Sequence, residues 1–223
     1  MNVIDAIHQR KSIRGYKEDA VSKEILTKIL EAACRAPSAM NTQPWEFVAL
    51  TGEPLERLKV ATVEKLQKGD PMEPEHHVTG WGRDSVYRGR QVDLAKGIFK
   101  LMDIQREDEE KRNRWMERGF RFFDAPAAIV ILNDKSLTDN GPLLDLGAAM
   151  QNICLAALEF GLGTCIEDQG VLYPKLVREI AAIPDSKRIV ISIAIGYPDD
   201  AFPANQLVSD REPVANLTRW VGF

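Results

Sequence analysis

The sequence has little cysteine: Cys34, Cys154 and Cys165 among 223 residues, with no CxxC pair. An odd count without paired spacing excludes a disulfide framework and reads as free thiols in a reducing cytoplasm. Long apolar runs are missing too, since no stretch reaches the roughly 18 residues of a membrane span. The opening Met1-Asn2-Val3-Ile4-Asp5 lacks the basic and then apolar order of a secretory leader, so a soluble cytoplasmic protein is expected. Neither sign of charge dominates: 29 Lys plus Arg stand against 33 Asp plus Glu, a net charge of -4. That balance gives no global attraction to nucleic acid or anionic lipid, so any anion site must be local. Histidine is scarce, and His76-His77 are adjacent rather than spaced along one helix face, which reads as a solvated loop before a metal site. HExxH, GxSxG and the P-loop are all absent, so zinc-protease, serine-hydrolase and nucleotide-hydrolase chemistry lacks its parts.

What is present is an ordinary globular composition, 44% apolar and 28% charged, with no repeat, low-complexity tract or linker. The pattern predicts one α+β domain over residues 1–223 with four or five strands. Asn2 caps a short helix ending near Arg10, and Ser22 opens a second, in which Ile25, Leu26, Ile29, Leu30 and Ala33 recur at helical spacing until Pro37. Glu46–Thr51 reads as a strand, and Pro54 starts a helix through Leu55, Leu58 and Ala61. Residues 67–90 show no period and read as irregular, whereas Val92–Phe123 carries one or two helices. Ala127–Leu132 is short, β-branched and punctuated at both ends, as a central strand should be. From Pro142 to Gly161 apolar residues leave few polar positions, so that helix is expected to be buried, its small Gly147, Ala148, Ala149, Ala156 and Ala157 admitting a close neighbour. Strands around Thr164–Ile166 and Arg188–Ile195 flank a helix over Pro174–Ala182. The tail looks extended, and its Trp220 and Phe223 need cover from this domain or a partner.

Four segments could carry chemistry, and each also reads without a ligand. Arg10-Lys11-Ser12-Ile13-Arg14 offers two guanidinium forks, an ammonium and a hydroxyl suited to a phosphate, or simply a solvated turn at a helix C-terminus. In Ala36–Trp45 two prolines fix a loop dense in hydrogen-bonding side chains beside a Trp that could cover a flat ligand, although such a loop can equally cap itself. Gly161-Leu162-Gly163 permits close approach to main-chain amides before Thr164–Asp168, and a helix C-cap explains Gly161 equally well. Gly196-Tyr197-Pro198 precedes a tail carrying Arg211, a distant anion contact or an exposed ion-pair partner. Cys165 reads as a packed thiol, since nothing in the sequence depresses its pKa.

Taken together and in this order, the segments around Arg10–Tyr16, Ala36–Phe47, Gly161–Asp168 and Ile193–Pro198 with a later Arg resemble the nitroreductase family of FMN-dependent oxidoreductases. The resemblance spans nearly the whole chain. It implies a nitroreductase-like α+β fold, with a central mixed β-sheet flanked by helices, and an intertwined homodimer whose FMN sites lie between protomers. By the same resemblance Arg10, Lys11, Ser12 and Arg14 hold the FMN phosphate, ribityl chain and pyrimidine edge. Pro37, Ser38, Ala39 and Asn41 come from the other protomer, Ile166 and Glu167 turn their backbone to the isoalloxazine, and Arg211 reaches the phosphate. Where many members have Gly after that Glu, this sequence has Asp168, and Gln91 stands where a mid-chain flavin contact is expected. The implied activity is ping-pong hydride transfer from NAD(P)H through the flavin to nitroaromatics, quinones or related small conjugated acceptors. No side chain acts as acid or base, no metal takes part, and neither nucleic acid nor membrane is a partner. A segment around 68–123 would form a lid, with Trp81, Tyr87, Phe99 and Trp115 as covers, and residues 197–223 would wrap the partner. A reductive dehalogenase, a flavin-fragmenting enzyme and a non-catalytic flavin-binding protein are the alternatives.

Overall fold

The computed structural model describes residues 1–78, 80–138 and 140–223. In chain order the elements are helix α1 (Val3–Gln9), α2 (Lys23–Ala33), strand β1 (Glu46–Thr51), α3 (Gly52–Lys68), α4 (Val86–Leu101), α5 (Glu109–Phe120), β2 (Ala127–Asp134), α6 (Leu143–Glu159), β3 (Gly163–Glu167), α7 (Pro174–Ala181), β4 (Lys187–Gly196) and α8 (Val214–Leu217). Both expected N-caps are made: Asn2 accepts from the Asp5 amide and Ser22 from the Ile25 amide, each satisfying a donor that a first helical turn leaves unpaired.

The four strands run in the order β1-β2-β4-β3. All three ladders are antiparallel, where a mixed sheet was expected, and the parallel contact is a single bridge joining Ser12 to Thr164 on β3. Central β2 alternates between faces, sending Ala127, Ile129 and Ile131 into a core with α2 and α6 while Ala128, Val130 and Leu132 enter a second core with α3 and α7. Cover on both faces explains why its sequence is apolar without interruption. On β4, Val190 falls between the partners of Ile131 and Leu132, a bulge that lets Val190 and Ile191 share the α2/α6 core.

Two regions depart from the sequence-based expectation. Helix α4 starts at Val86, inside the stretch read as irregular, because Ser85 caps it by accepting from the Arg88 amide. Its opening turns are exposed, Val86 and Tyr87 included, and the helix buries only Ile98 near its other end, so no apolar period announces its start. Helix α6 was expected to be buried, and it packs on α2 along one stripe that buries Leu146, Ala149, Ile153, Cys154 and Ala157 but leaves Leu144 85% exposed. No helix among the described residues is long and apolar enough to cross a membrane.

Candidate functional site

Strand β3 is an edge strand, and an edge presents unpaired backbone groups that a neighbouring segment can satisfy. The basic segment fills that role, the Ile13 amide donating to the Thr164 carbonyl at 2.9 Å. Gly163 makes the contact possible, because a Cβ there would lie 2.4 Å from the Ile13 side chain. Downstream, the Lys17 amide donates to Tyr197 O at 2.9 Å, and the hydroxyl of half-buried Tyr16 donates to Ile13 O at 2.7 Å. Residues from three distant parts of the sequence thereby meet at one edge, around a cavity of 330 Å³ lined by Arg10, Lys11, Ile13, Gly163, Thr164 and Asn205 among others.

The electrostatics of this edge are unusual. Arg10, Lys11 and Arg14 are each half-buried, and among the described residues none of them forms an ion pair with a carboxylate. Arg14 instead places its guanidinium 6.0 Å from the Phe123 ring centroid. Partly buried cations without counter-charge have given up hydration for no compensating partner, a condition that an anionic ligand relieves. Three cations and the Ser12 hydroxyl on adjacent residues fit a phosphate and a polyol chain, so the donor set suits FMN.

At the far end of β3, Ile166 is half-buried and Glu167 is buried. Glu167 turns its carboxyl inward, where Ser192 Oγ donates to Oε1 and the Gly170 amide donates to Oε2 at 2.7 Å. Burial pushes this carboxyl up to about 7 against the opposing pull of those two neutral donors. The side chain is therefore committed to the protein interior, and backbone groups are what this stretch can offer a ligand. Cys165 beside it is also packed, its thiol pushed up to about 11 by burial, as expected of an unreactive cysteine.

The remaining predicted residues lie elsewhere. Pro37, Ser38, Ala39 and Asn41 form a turn at the start of α6, where the Ala39 amide donates to Asp145 Oδ2 at 3.2 Å and Ser38 Oγ accepts from the Gln43 amide at 3.0 Å. The β3 cavity touches Leu158 at the other end of that helix. Thirteen residues at 1.5 Å each put these ends about 20 Å apart, so one chain does not unite the two predicted halves. Trp45, of which the sequence allowed a wall for a flat ligand as one of two readings, is buried in the α2/α6 core. Its position directly before β1 carries it under the sheet. Arg211 lines a separate 740 Å³ cavity with Trp81, Tyr87, Gln91 and Leu207, and its guanidinium donates to Ser209 O, Ser209 Oγ and Asp210 O of its own segment. Gln91 Oε1 accepts from Trp81 Nε1 at 3.3 Å and from Arg88. Phe99 is half-buried, and Trp115 packs 6.2 Å from Phe123.

Two residues that bear on the site carried no signal in the sequence. Arg118 on α5 donates to the Arg14 and Phe123 carbonyls, pairs with Asp124 at 2.7 Å and lies over the Phe202 ring. Asn205 holds the Arg14 and Gly15 amides. The first lay in a charged helix that reads as solvated, and the second in a tail without period. Among the described residues no group of three or more His, Cys, Asp or Glu side chains could hold a metal ion.

Comparison with known proteins matches residues 7–197 to the family model described as the nitroreductase family. The nitrobenzene nitroreductase of Ectopseudomonas oleovorans is 32% identical over 218 residues, covering 97% of this chain and 96% of that one. The chloronitrobenzene nitroreductase of Comamonas testosteroni is 33% identical over 226 residues, again covering 97% and 96%. Among solved structures, the FMN and NADPH-dependent nitroreductase NfnB from Sphigopyxis sp. strain HMH superposes with a TM-score of 0.94 at 25% identity, covering all of both chains.

Proposed function

Because this chain belongs to the nitroreductase family, we propose that it is an FMN-dependent oxidoreductase that uses NAD(P)H to reduce nitroaromatics, quinones or related conjugated acceptors. The observation that carries the reading is the cluster of cations on the β3 edge, which no carboxylate among the described residues balances. Bound FMN would supply the hydride-transfer chemistry, with NAD(P)H as the reductant and the conjugated acceptor as the oxidant in alternating half-reactions.

The protein's part is to bind, orient and exclude. Arg10, Lys11, Ser12 and Arg14 hold the phosphate, ribityl chain and pyrimidine edge, and Arg211 adds a phosphate contact from the tail. Ile166 and Glu167 present backbone groups to the isoalloxazine. The cations and backbone donors of these segments would favour negative charge on a flavin held there.

The other wall comes from a second copy, in which Pro37, Ser38, Ala39 and Asn41 close the site. The 20 Å between the ends of α6 supports this arrangement, since only two chains running past one another bring those pieces together. Exposed Val3, Ile4 and Ile7 on α1, Leu144 on α6 and Trp220, Val221 and Phe223 in the tail form apolar surface of the kind a homodimer interface covers. Three free thiols fit a reducing cytoplasm. The test is anaerobic titration of the purified yellow protein. NADH or NADPH should bleach the flavin band and nitrobenzene should restore it; a colourless dimer that cannot be reconstituted with FMN overturns the reading.

A further inference from the structure

We infer that Asn205 is the positioning residue that sets the basic segment for cofactor phosphate, acting through the backbone of Arg14 and Gly15; the inference rests on the FMN reading above. Asn205 is 4% exposed and uses its whole hydrogen-bonding capacity. Its Oδ1 accepts from the Arg14 amide at 2.6 Å and the Gly15 amide at 3.2 Å, while Nδ2 donates to Gly15 O at 2.7 Å and Asp199 O at 2.9 Å. Two donors face the oxygen and two carbonyls face the nitrogen, so only a side-chain amide in this one orientation satisfies the set.

The position matters because of what lies on either side. Ser12 and Ile13 are fixed to β3 by the bridge to Thr164, and Gly15 is pressed so closely on Phe202 that a Cβ would lie 2.1 Å from its ring. Arg14 stands between these two anchors, its amide held by Asn205 and its carbonyl by Arg118. Both backbone groups of the residue carrying the last cation of the segment are thus fixed by side chains distant in sequence. Asn205 also sits in the short turn Pro203–Gln206, from which the chain leaves the β3 cavity and reaches the cavity that Arg211 lines. One amide therefore registers the segment bearing Arg10 to Arg14 against the tail bearing Arg211. A buried polar residue that merely knitted the tail would have no need to select the backbone of a cation that pairs with no carboxylate among the described residues.

The experiment removes FMN, titrates it back and follows flavin fluorescence for Asn205→Ala, Arg14→Ala and the double variant, with apoprotein unfolding midpoints measured in parallel. Asn205→Ala is expected to raise the FMN Kd by roughly tenfold or more, as the loss of a hydrogen-bond set next to a charged contact does. Because Asn205 acts through Arg14, the double variant should bind FMN no more weakly than the weaker single variant. Additive losses, or an unchanged Kd in Asn205→Ala, overturn the inference. Failure of the wild-type chain to bind FMN at all overturns the parent reading instead. Should Asn205→Ala not fold, Asn205→Asp serves, because it keeps the oxygen facing both amides and turns a carboxylate oxygen on the two carbonyls. Its FMN affinity is expected to recover as pH falls and the carboxyl regains an O–H donor, whereas a pH-independent Kd counts against the inference.

Discussion

Two parts of the molecule handle charge in opposite ways. Beside the start of β4, Glu75 receives Arg178 through both carboxylate oxygens and the Ile189 amide at 2.7 Å, with Lys135 at 3.5 Å. Burial pushes Glu75 up, but the Arg178 and Ile189 hydrogen bonds outweigh it and hold the carboxyl below its usual value. At the β3 edge the acid and the bases go separately. Glu167 takes neutral donors and is pushed up by burial, while among the described residues Arg10, Lys11 and Arg14 pair with no carboxylate. The first arrangement is internally complete and serves stability. The second is complete only with something added, which separates a structural ion pair from a binding site more reliably than the number of cations does.

The largest test of this contrast is Arg178→Met. It leaves half-buried Glu75 to the Ile189 amide and the more distant Lys135 and frees the Pro184 and Lys187 carbonyls, and it should lower unfolding free energy by about 3 to 4 kcal/mol. FMN affinity measured under folding conditions should stay unchanged, and a loss of FMN binding without loss of stability would break the distinction. Next comes Glu167→Gln. The folded carboxyl keeps its proton to about 7 whereas the unfolded one releases it near 4.5, so the folded chain binds the extra proton in that window. The stability it contributes is full below 4.5 and is lost as pH rises through 7. Relative to wild type, the Gln variant should therefore gain about 3 kcal/mol between acid and pH 8 in denaturant unfolding. A parallel pair of pH profiles would show that Glu167 is not the group responsible.

Arg14→Ala reverses the Arg178 result. With no carboxylate partner among the described residues to lose, apoprotein stability should change by less than about 0.5 kcal/mol, while FMN binding weakens by about 1.5 to 3 kcal/mol in fluorescence titration. Equal losses in both would place Arg14 with the structural cations. The smallest effect is expected from Arg211→Ala, whose guanidinium is exposed and already satisfied by its own segment; a roughly two- to fivefold weaker FMN Kd sharpens the ranking of the two arginines.

Much of the fold was legible because its signals are local. Asn2, Ser22 and Pro54 mark helix starts through the chemistry of an unsatisfied first turn, and Ala127–Leu132 declares a strand through branching and punctuation. The opening turns of α4 were not legible, since an exposed polar helix differs from a polar loop only by its cap. Trp45 stayed open between two readings because an aromatic beside a proline-rich loop looks the same whether it faces a ligand or the core. Asn205 and Arg118 were illegible for a stronger reason: their partners lie 191 and 104 residues away from them, and no window of sequence contains both ends of such a bond.

By itself the sequence determined the order of the helices and strands, the residue types at the cationic segment and the family to which they point, all of which follow from capping, periodicity and motif within short stretches. Only the tertiary structure decided which cations stay unpaired, which carboxyl is forced to hold its proton and which side chain registers Arg14. Charge pairing and desolvation depend on distance through space, and that distance exists only once the β3 edge has gathered residues from the beginning, middle and end of the chain.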